Sequence, residues 1–300
     1  MLKEIIKTNS RILQCPYCQE PLSIVDSGCR CSACECFYGY EDGPLDLRLQ
    51  KVRKCMVEFD VGCDMQFNEM PNLHPLKMIA EPDVDFKNSN VPKHLTSEML
   101  SYFPKAKSDE SLVLDLGCGK AVNKEVCNHA GFGYVGLDYR EKEATVLGDA
   151  HALPFVDESF EFMLSVAVLE HIQYPFIMMN EAYRVLKPGS RFIGTVAFLE
   201  PFHDCSYYHH THLGLYNCLK YAGFKIEAIA PSEHWNVLIA QSKALFPKLP
   251  RKFAKMLVWP LNFLHKYWMQ SGRLRNRPWA TAENICSRTT GSFVFIATKE

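Results

Sequence analysis

The chain has 300 residues, of which 47% are hydrophobic and 22% charged, with 33 Lys and Arg against 34 Asp and Glu and a formal net charge of −1. This is globular composition and excludes a disordered or collagen-like chain, and the length suits one large domain plus a small one. No run of about 18 apolar residues occurs, so no membrane-spanning helix is expected. The 13 cysteines, an odd number, do not suit a disulfide framework.

Met1 to Lys7 carries charges through its apolar part, unlike a secretory signal. The expected location is therefore cytoplasmic, with thiols free or metal-bound in a reducing compartment. The first predicted unit is a cysteine cluster. Cys15-Pro16-Tyr17-Cys18 and Cys31-Ser32-Ala33-Cys34 are two Cys-x-x-Cys turns with twelve residues between them. Two such turns facing each other make a closed tetrahedral four-cysteine site for structural Zn2+, with no open position for chemistry. So short a segment builds no core of its own, and the metal would supply much of its folding energy. Cys29 and Cys36 lie close enough to exchange with one of the four; buried or redox-active cysteines are the other reading. The run from Ile12 to Leu47 resembles the small zinc ribbons of the Trm112 type, which help methyltransferases fold or bind substrate. The expected organisation is a zinc ribbon over residues 10–48, a linker over 49–92 and a main domain over 93–300.

Pro71, Pro75, Pro82 and Pro92 interrupt the linker, and a helix is expected from about Lys93 to Phe103. Val113 to Leu116 then reads as a buried strand, Gly117-Cys118-Gly119 as a turn, and Lys120 onward as a helix start. Glycines there let the backbone approach a ligand, and a strand–glycine turn–helix unit opens nucleotide-type sites in open α/β sheets. Nineteen residues after Gly119, Asp138 closes the apolar run Tyr134 to Leu137, where an acid can hold both ribose hydroxyls. The third glycine of a dinucleotide fingerprint would fall at Val122, so a pyrophosphate has no seat. An adenosyl ligand without phosphate fits better.

Three further motifs follow in order: Gly148-Asp149-Ala150-His151-Ala152-Leu153-Pro154-Phe155; Ser159 to Ser165 with Val168-Leu169-Glu170-His171; and Glu181 to Gly189 leading into another apolar strand. Together they resemble the class I S-adenosylmethionine-dependent methyltransferases, in the branch that includes the ubiquinone-biosynthesis type. The resemblance covers about residues 110 to 230 and the last strand. It implies an α/β fold with a Rossmann-like seven-stranded sheet, and S-adenosylmethionine as cofactor. Carried over by position, it puts Asp115, Gly117, Cys118 and Gly119 on the methionine and ribose side, Asp138 on the ribose, Asp149 and the Ala150 backbone on the adenine edge, and Ser165 and Val166 beside the methionine. The helix at 93–103 would lie over the cofactor. The chain departs from the pattern at Ala121, where a third glycine is common, and at Glu161, where Asp is usual.

Beyond the fifth strand, His203, Asp204, His209, His210 and His212 crowd ten positions at the carboxyl edge of the sheet, where ligands bind. One of them could act as base toward an alcohol or phenol acceptor, or three could hold a divalent metal; capping and surface histidines are the plain alternative. His171, which the family places near the methyl group, is either a base or a packed helix start. The base candidates are therefore His171, His203, His209 and His212. Thr211 should cap a helix running to Ala222, stopped at Gly223, followed by strands from Phe224 to Ala230 and from Ser292 to Thr298.

Between those strands lies a basic helical insertion at about 240–282. From Lys243 to Arg277 there are nine Lys or Arg and no Asp or Glu, leaving 24 positive against 34 negative side chains elsewhere, a balance of −10. Interleaved aromatics suit an anionic membrane surface or RNA; a lid with solvated lysines is the bland reading. The function expected is methyl transfer from S-adenosylmethionine to a small-molecule or glycan-type acceptor, on oxygen, by a cytoplasmic protein that can be peripheral to the membrane. The alternatives are methylation of a ribosomal or transfer RNA base, and a non-catalytic partner that binds the cofactor. The sequence leaves oligomeric state open.

Overall fold

The computed structural model describes residues 10–59, 73–203, 205–232, 235–281, 284 and 289–300. Its amino-terminal part is a three-stranded antiparallel sheet, β1 (Leu22–Val25), β2 (Gly28–Cys31) and β3 (Phe37–Gly39). Gly28 starts β2 at φ +156, where a Cβ would lie 2.0 Å from the Tyr38 carbonyl oxygen, so the close approach of β2 to β3 requires glycine. Of the linker, the described residues 49–59 and 73–92 hold no helix or strand.

The main sheet has eight strands in the order β10-β11-β9-β8-β5-β6-β7-β4. Seven come from the main domain, as the resemblance implies: β5 (Leu112–Leu116), β6 (Gly133–Asp138), β7 (Val146–Leu147), β8 (Phe160–Val166), β9 (Leu186–Ala197), β10 (Lys225–Pro231) and β11 (Ser292–Thr298). The eighth, β4 (Leu45–Asp46), is the tail of the ribbon, which adds in parallel to β7 at the sheet edge. β11 runs antiparallel to both β9 and β10, while β5, β6, β7, β8 and β9 are parallel. Such strands are covered on both faces and read as continuous apolar runs. All five residues of β5 are buried, with Leu112, Leu114 and Leu116 in one core and Val113 in the other, as the two-residue repeat of a strand requires.

The first core is shared with the ribbon, whose Leu13, Tyr38, Leu45 and Leu47 pack among the sheet residues. Its helices are α3 (Pro175–Val185) and α4 (His212–Tyr221). Proline begins α3 and Met178, Met179, Ala182 and Val185 line its buried face. In α4, Thr211 Oγ1 caps by accepting from Gly214 N at 3.1 Å, and Gly223 at φ +94 ends the helical segment. The second core holds α1 (Ser97–Ser101), five residues against the longer helix expected at 93–103, and α2 (Lys124–His129). Two further helices, α5 (Val237–Leu245) and α6 (Arg251–Leu274), fill the insertion before β11.

Glu161, the departure from the usual Asp, has a clear use. Its Oε2 accepts from Leu112 N at 2.8 Å, fixing the start of β5, and its other oxygen pairs with Lys187. At the centre of the sheet Gly194 faces Ser165 on β8 and Phe295 on β11. An added Cβ would lie 2.3 Å from the Ser165 carbonyl oxygen and 2.5 Å from Phe295 Cζ. Backbone cannot yield there, so Gly194→Ala is expected to cost about 1–3 kcal/mol of overpacking, read as a lower denaturant midpoint. An unchanged midpoint would refute this close packing.

Candidate functional site

The strand–turn–helix unit forms as expected. Gly117 (φ +73) and Gly119 (φ +52) are both left-handed, a conformation glycine adopts at little cost. They differ in surroundings. A Cβ on Gly117 would lie 2.4 Å from Val168 Cγ2, whereas one on Gly119 would meet nothing within 4 Å. The turn therefore packs at its first glycine and opens at its second. Gly117 N and Cys118 N both donate to the Leu137 carbonyl, at 2.8 and 3.0 Å. Asp138 Oδ2 accepts from Gly119 N at 3.0 Å, and its Oδ1 from Arg140 N and Glu141 N. Cys118 is buried behind the turn. Ala121, where a third glycine is common, is left-handed at φ +53.

Asp115, expected on the methionine side, is fully buried. Its carboxylate accepts from Tyr134 Oη at 2.7 Å and from Asn123 Nδ2 at 3.2 Å. Burial pushes its pKa up to about 6, against the lowering effect of those two bonds. Asp115 thus ties the end of β5 to β6 and to the residue preceding α2. A cleft of about 440 Å³ opens beside the turn, lined by Asn90, Pro92, His94, Ala121, Val122 and Glu125.

Asp149 and Ala150 follow β7 at the same edge. Asp149 Oδ1 accepts from His151 N at 2.9 Å and from the His151 ring Nδ1 at 2.6 Å. Burial opposes the Asp149 charge, but the two hydrogen bonds and the imidazole outweigh it and hold the carboxyl below its usual range. His151 Nε2 in turn accepts from Tyr174 N at 3.1 Å, so the protonated nitrogen of a neutral ring faces Asp149. The sequence offered no reason to single out His151. Ser165 is buried and Val166 half-buried at the end of β8, next to Gly194 and Thr195 of β9.

The histidines divide. His171 ends a short 3-10 turn after β8, and its ring centroid lies 5.3 Å from that of His203, which is 5.9 Å from His209. His203 Nδ1 donates to the Pro201 carbonyl at 3.0 Å, which leaves Nε2 as the ring's lone-pair nitrogen. His212 stands apart at the start of α4, its ring 5.8 Å from Phe293. His210 is buried, and desolvation pushes its pKa down to about 4, so it is neutral at pH 7. Asp204 lies outside the described residues. Two acids that the histidine pattern did not flag complete the group. Glu170 is 1% exposed, its Oε2 has no partner among the described residues, and burial pushes its pKa up to about 7. Glu200 Oε1 accepts from Trp235 Nε1 at 2.7 Å, and desolvation raises its pKa as well. Glu170, His171 and His203 bring three donor atoms within 4.8 Å of one another. A carboxylate inside the apolar run Val168-Leu169-Glu170 was the available signal for Glu170.

In the ribbon, Cys15, Cys18, Cys31 and Cys34 place their sulfurs within 4.8 Å of one another; Cys15 to Cys34 is 3.5 Å and Cys18 to Cys31 is 3.4 Å. The two turns repeat one geometry. Cys15 N donates to Glu20 O and Cys31 N to Cys36 O, while Gln19 and Glu35, each just after a second cysteine, are left-handed at φ 64 and 62. Cys29 and Cys36 stay outside the group. Four sulfurs converging from two matched turns fit a tetrahedral zinc ion.

Residues 114–194 match the model of the methyltransferase domain family. A methyltransferase-named protein of Encephalitozoon cuniculi is 41% identical over 92 residues, covering 28% of this chain and 44% of that protein. Human mitochondrial 2-methoxy-6-polyprenyl-1,4-benzoquinol methylase is 36% identical over 72 residues, covering 24% of this chain and 22% of that protein. The chain thus spans less than half the length of these relatives. Among solved structures, a methyltransferase of Bacillus halodurans is 19% identical, with a TM-score of 0.43 over 64% of this chain and 94% of that one. The matched segment, with its parallel sheet and glycine turn, is similar to a methyltransferase domain.

Glu170 gives this site a pH signature. A glutamate ionises near 4.5 when free and near 7 in this fold. The folded value is the higher, so its contribution to stability is full below about pH 4.5 and is lost as pH rises through 7. The difference is on the order of 3 kcal/mol. Glu170→Gln keeps the shape without the titration. Unfolding midpoints should therefore shift in the variant's favour by that order between about pH 4 and about pH 8. Parallel pH profiles for the two proteins would refute the burial argument.

Proposed function

We propose that the chain transfers a methyl group from S-adenosylmethionine to an oxygen of a small-molecule or glycan-type acceptor, with His203 as the base. The observation that carries this reading is the convergence of His203, His171 and His209 at the carboxyl edge of the sheet. They stand at the same edge as the glycine turn, Asp138 and Asp149. When bound, S-adenosylmethionine supplies an electrophilic methyl on a sulfonium sulfur.

The chain's own residues do the rest. Asp138 holds the turn open through Gly119 N, and its carboxylate has further lone pairs for two ribose hydroxyls. Asp149 and the Ala150 backbone meet the adenine edge; the His151 bond fixes the Asp149 carboxylate in place. Gly117, Cys118 and Gly119, with Ser165 and Val166, shape the methionine end, and Asp115 positions the strand beneath it. His203 Nε2 takes the hydroxyl proton of the acceptor as its oxygen attacks. Nδ1 bonded to Pro201 keeps that lone pair on the correct nitrogen. His171 and His209 flank the ring, and His212 serves α4. A polyprenyl quinol, in the name of the human relative, is one acceptor of the hydroxyl-bearing kind. RNA methylation is the second reading, favoured by the basic stretch from Lys243 to Arg277. The ribbon acts as a structural unit, with one zinc on Cys15, Cys18, Cys31 and Cys34.

Calorimetry tests the cofactor assignment. S-adenosylmethionine should bind the wild type, and Asp138→Ala should weaken it by about 1.5–3 kcal/mol, roughly 10- to 100-fold, because ribose hydroxyls lose a charged acceptor. His203→Ala should bind the cofactor normally. No binding to the wild type, or equal binding to Asp138→Ala, would refute the reading.

For the ribbon, elemental analysis of protein purified without added metal should find about one zinc per chain. Chelation should lower the melting temperature, since the metal stabilises the folded segment. A metal-free protein that melts at the same temperature would show that the four cysteines hold nothing.

A further inference from the structure

Helix α6 has its apolar surface on the outside. It is 24 residues long, about 36 Å. The face toward the protein is a stripe of Ala254, Val258, Met269 and Gly272, all buried, with half-buried Asn262 and His265 on the same spacing. Asn262 Oδ1 accepts from Asn236 Nδ2 at 3.3 Å. The larger apolar side chains point away. Met256, Trp259, Leu261, Phe263, Leu264 and Tyr267 are each between 55% and 66% exposed. A water-facing helix places its apolar stripe inward, so the outward set calls for another covering.

Charge decides what covers it. From Met256 to His265 there is no Lys, Arg, Asp or Glu, and the basic residues gather at the two ends: Arg251, Lys252 and Lys255 before, Lys266, Arg273, Arg275 and Arg277 after. A helix lying in the plane of an anionic bilayer would set this apolar, aromatic-rich middle among the acyl chains and bring the basic residues at its two ends to the headgroups of the same leaflet. Trp and Tyr favour that interface. A second copy would bring like charge to like charge. A nucleic acid would find no cation along the apolar middle. No helix among the described residues is long and apolar enough to cross a bilayer, and Pro260 interrupts the middle of α6.

The helix is rooted at the candidate site. The Arg251 guanidinium carbon and Lys255 Nζ each lie 5.2 Å from the Trp235 ring centroid, and Trp235 bonds Glu200. Gln241 of α5 donates to Leu199 O at 3.4 Å. Glu200 and Leu199 belong to the loop that carries His203. Next to His203 in that loop, Phe202 is 77% exposed.

We propose that α6 is an interfacial helix that docks this chain on an anionic lipid bilayer, with Met256, Trp259, Leu261, Phe263, Leu264 and Tyr267 in the acyl region and the flanking basic residues against headgroups. Docking holds the His203 loop next to the membrane surface. The proposal stands on the helix and is tested apart from cofactor binding.

The test is flotation with vesicles of phosphatidylcholine alone and of phosphatidylcholine with phosphatidylglycerol, at low and high salt. Wild-type protein should float with the anionic vesicles and less so at high salt, because screening weakens the headgroup contacts. The double variant Trp259→Asp, Phe263→Asp should stay at the bottom of the gradient. Both replaced side chains are exposed, so its melting temperature and its S-adenosylmethionine calorimetry should equal the wild type's. Wild-type protein that floats with neither vesicle, or a double variant that floats as well as the wild type, overturns the proposal. Salt-sensitive RNA binding by a wild type that ignores vesicles would overturn it in favour of a nucleic-acid surface. Failure of cofactor binding with flotation intact would strike the methyl-transfer reading alone.

Discussion

One carbonyl organises the candidate cofactor site. Leu137 O accepts from both Gly117 N and Cys118 N, so the turn leaving β5 is fastened to the end of β6. The next residue, Asp138, then reaches Gly119 N with its carboxylate. Below the turn, Asp115 of β5 is bonded to Tyr134 of β6. These links join the same two strands. Once they form, the open side of Gly119 and the acid at 138 are placed together without any contribution from the loops beyond.

The second half of the site depends on less regular structure. Glu170 and His171 follow β8, and His203 and His209 follow β9. They meet because adjacent parallel strands deliver their following loops to one edge. Tyr207 N and Tyr208 N donate to Glu170 O, at 2.6 and 3.2 Å, which draws the histidine loop over the 3-10 turn. A buried carboxyl, with one oxygen unpartnered among the described residues, then stands beside imidazoles. Burial raises the Glu170 pKa, and the neighbouring Glu200 raises it further while His203 opposes the rise. Such mutual perturbation is common at reacting sites.

What the sequence made legible were short-range patterns. The glycine turn, the Asp138 spacing, the capped helix α4 and the strand Ser292–Thr298 each need only nearby residues to be recognised. The paired cysteine turns are of this kind too, and their matched left-handed residues at Gln19 and Glu35 repeat the repetition in sequence. Contacts across long separations were not legible. Nothing near His151 announces Tyr174 N as the donor to its Nε2, and nothing near Trp235 announces Glu200. The length of α1 was overestimated because Lys93 to Phe103 has helical composition but lies after Pro92, and its first residues turn before Thr96 caps the helix. The eighth strand was missed because two residues, Leu45 and Asp46, carry no periodicity. Only the open edge of β7 makes them a strand.

That edge strand explains why the ribbon and the sheet form one structure. β4 pairs with β7, and Leu47 N adds a bond to Leu147 O at 2.8 Å. At the other end of the ribbon, Gln14 N donates to Pro154 O, and Val156 N to Ile12 O. Both contacts bracket the segment from Leu147 to Val156, which contains Asp149, Ala150 and His151. Tyr38, Leu45 and Leu47 bury themselves in the same core as Leu114 and Leu137. The strands of the ribbon thus share burial with the edge of the sheet instead of forming a core of their own. The cysteine cluster and the Asp149 loop are therefore mechanically continuous. The segment that carries the four cysteines reaches the loop of Asp149 and Ala150 through backbone hydrogen bonds.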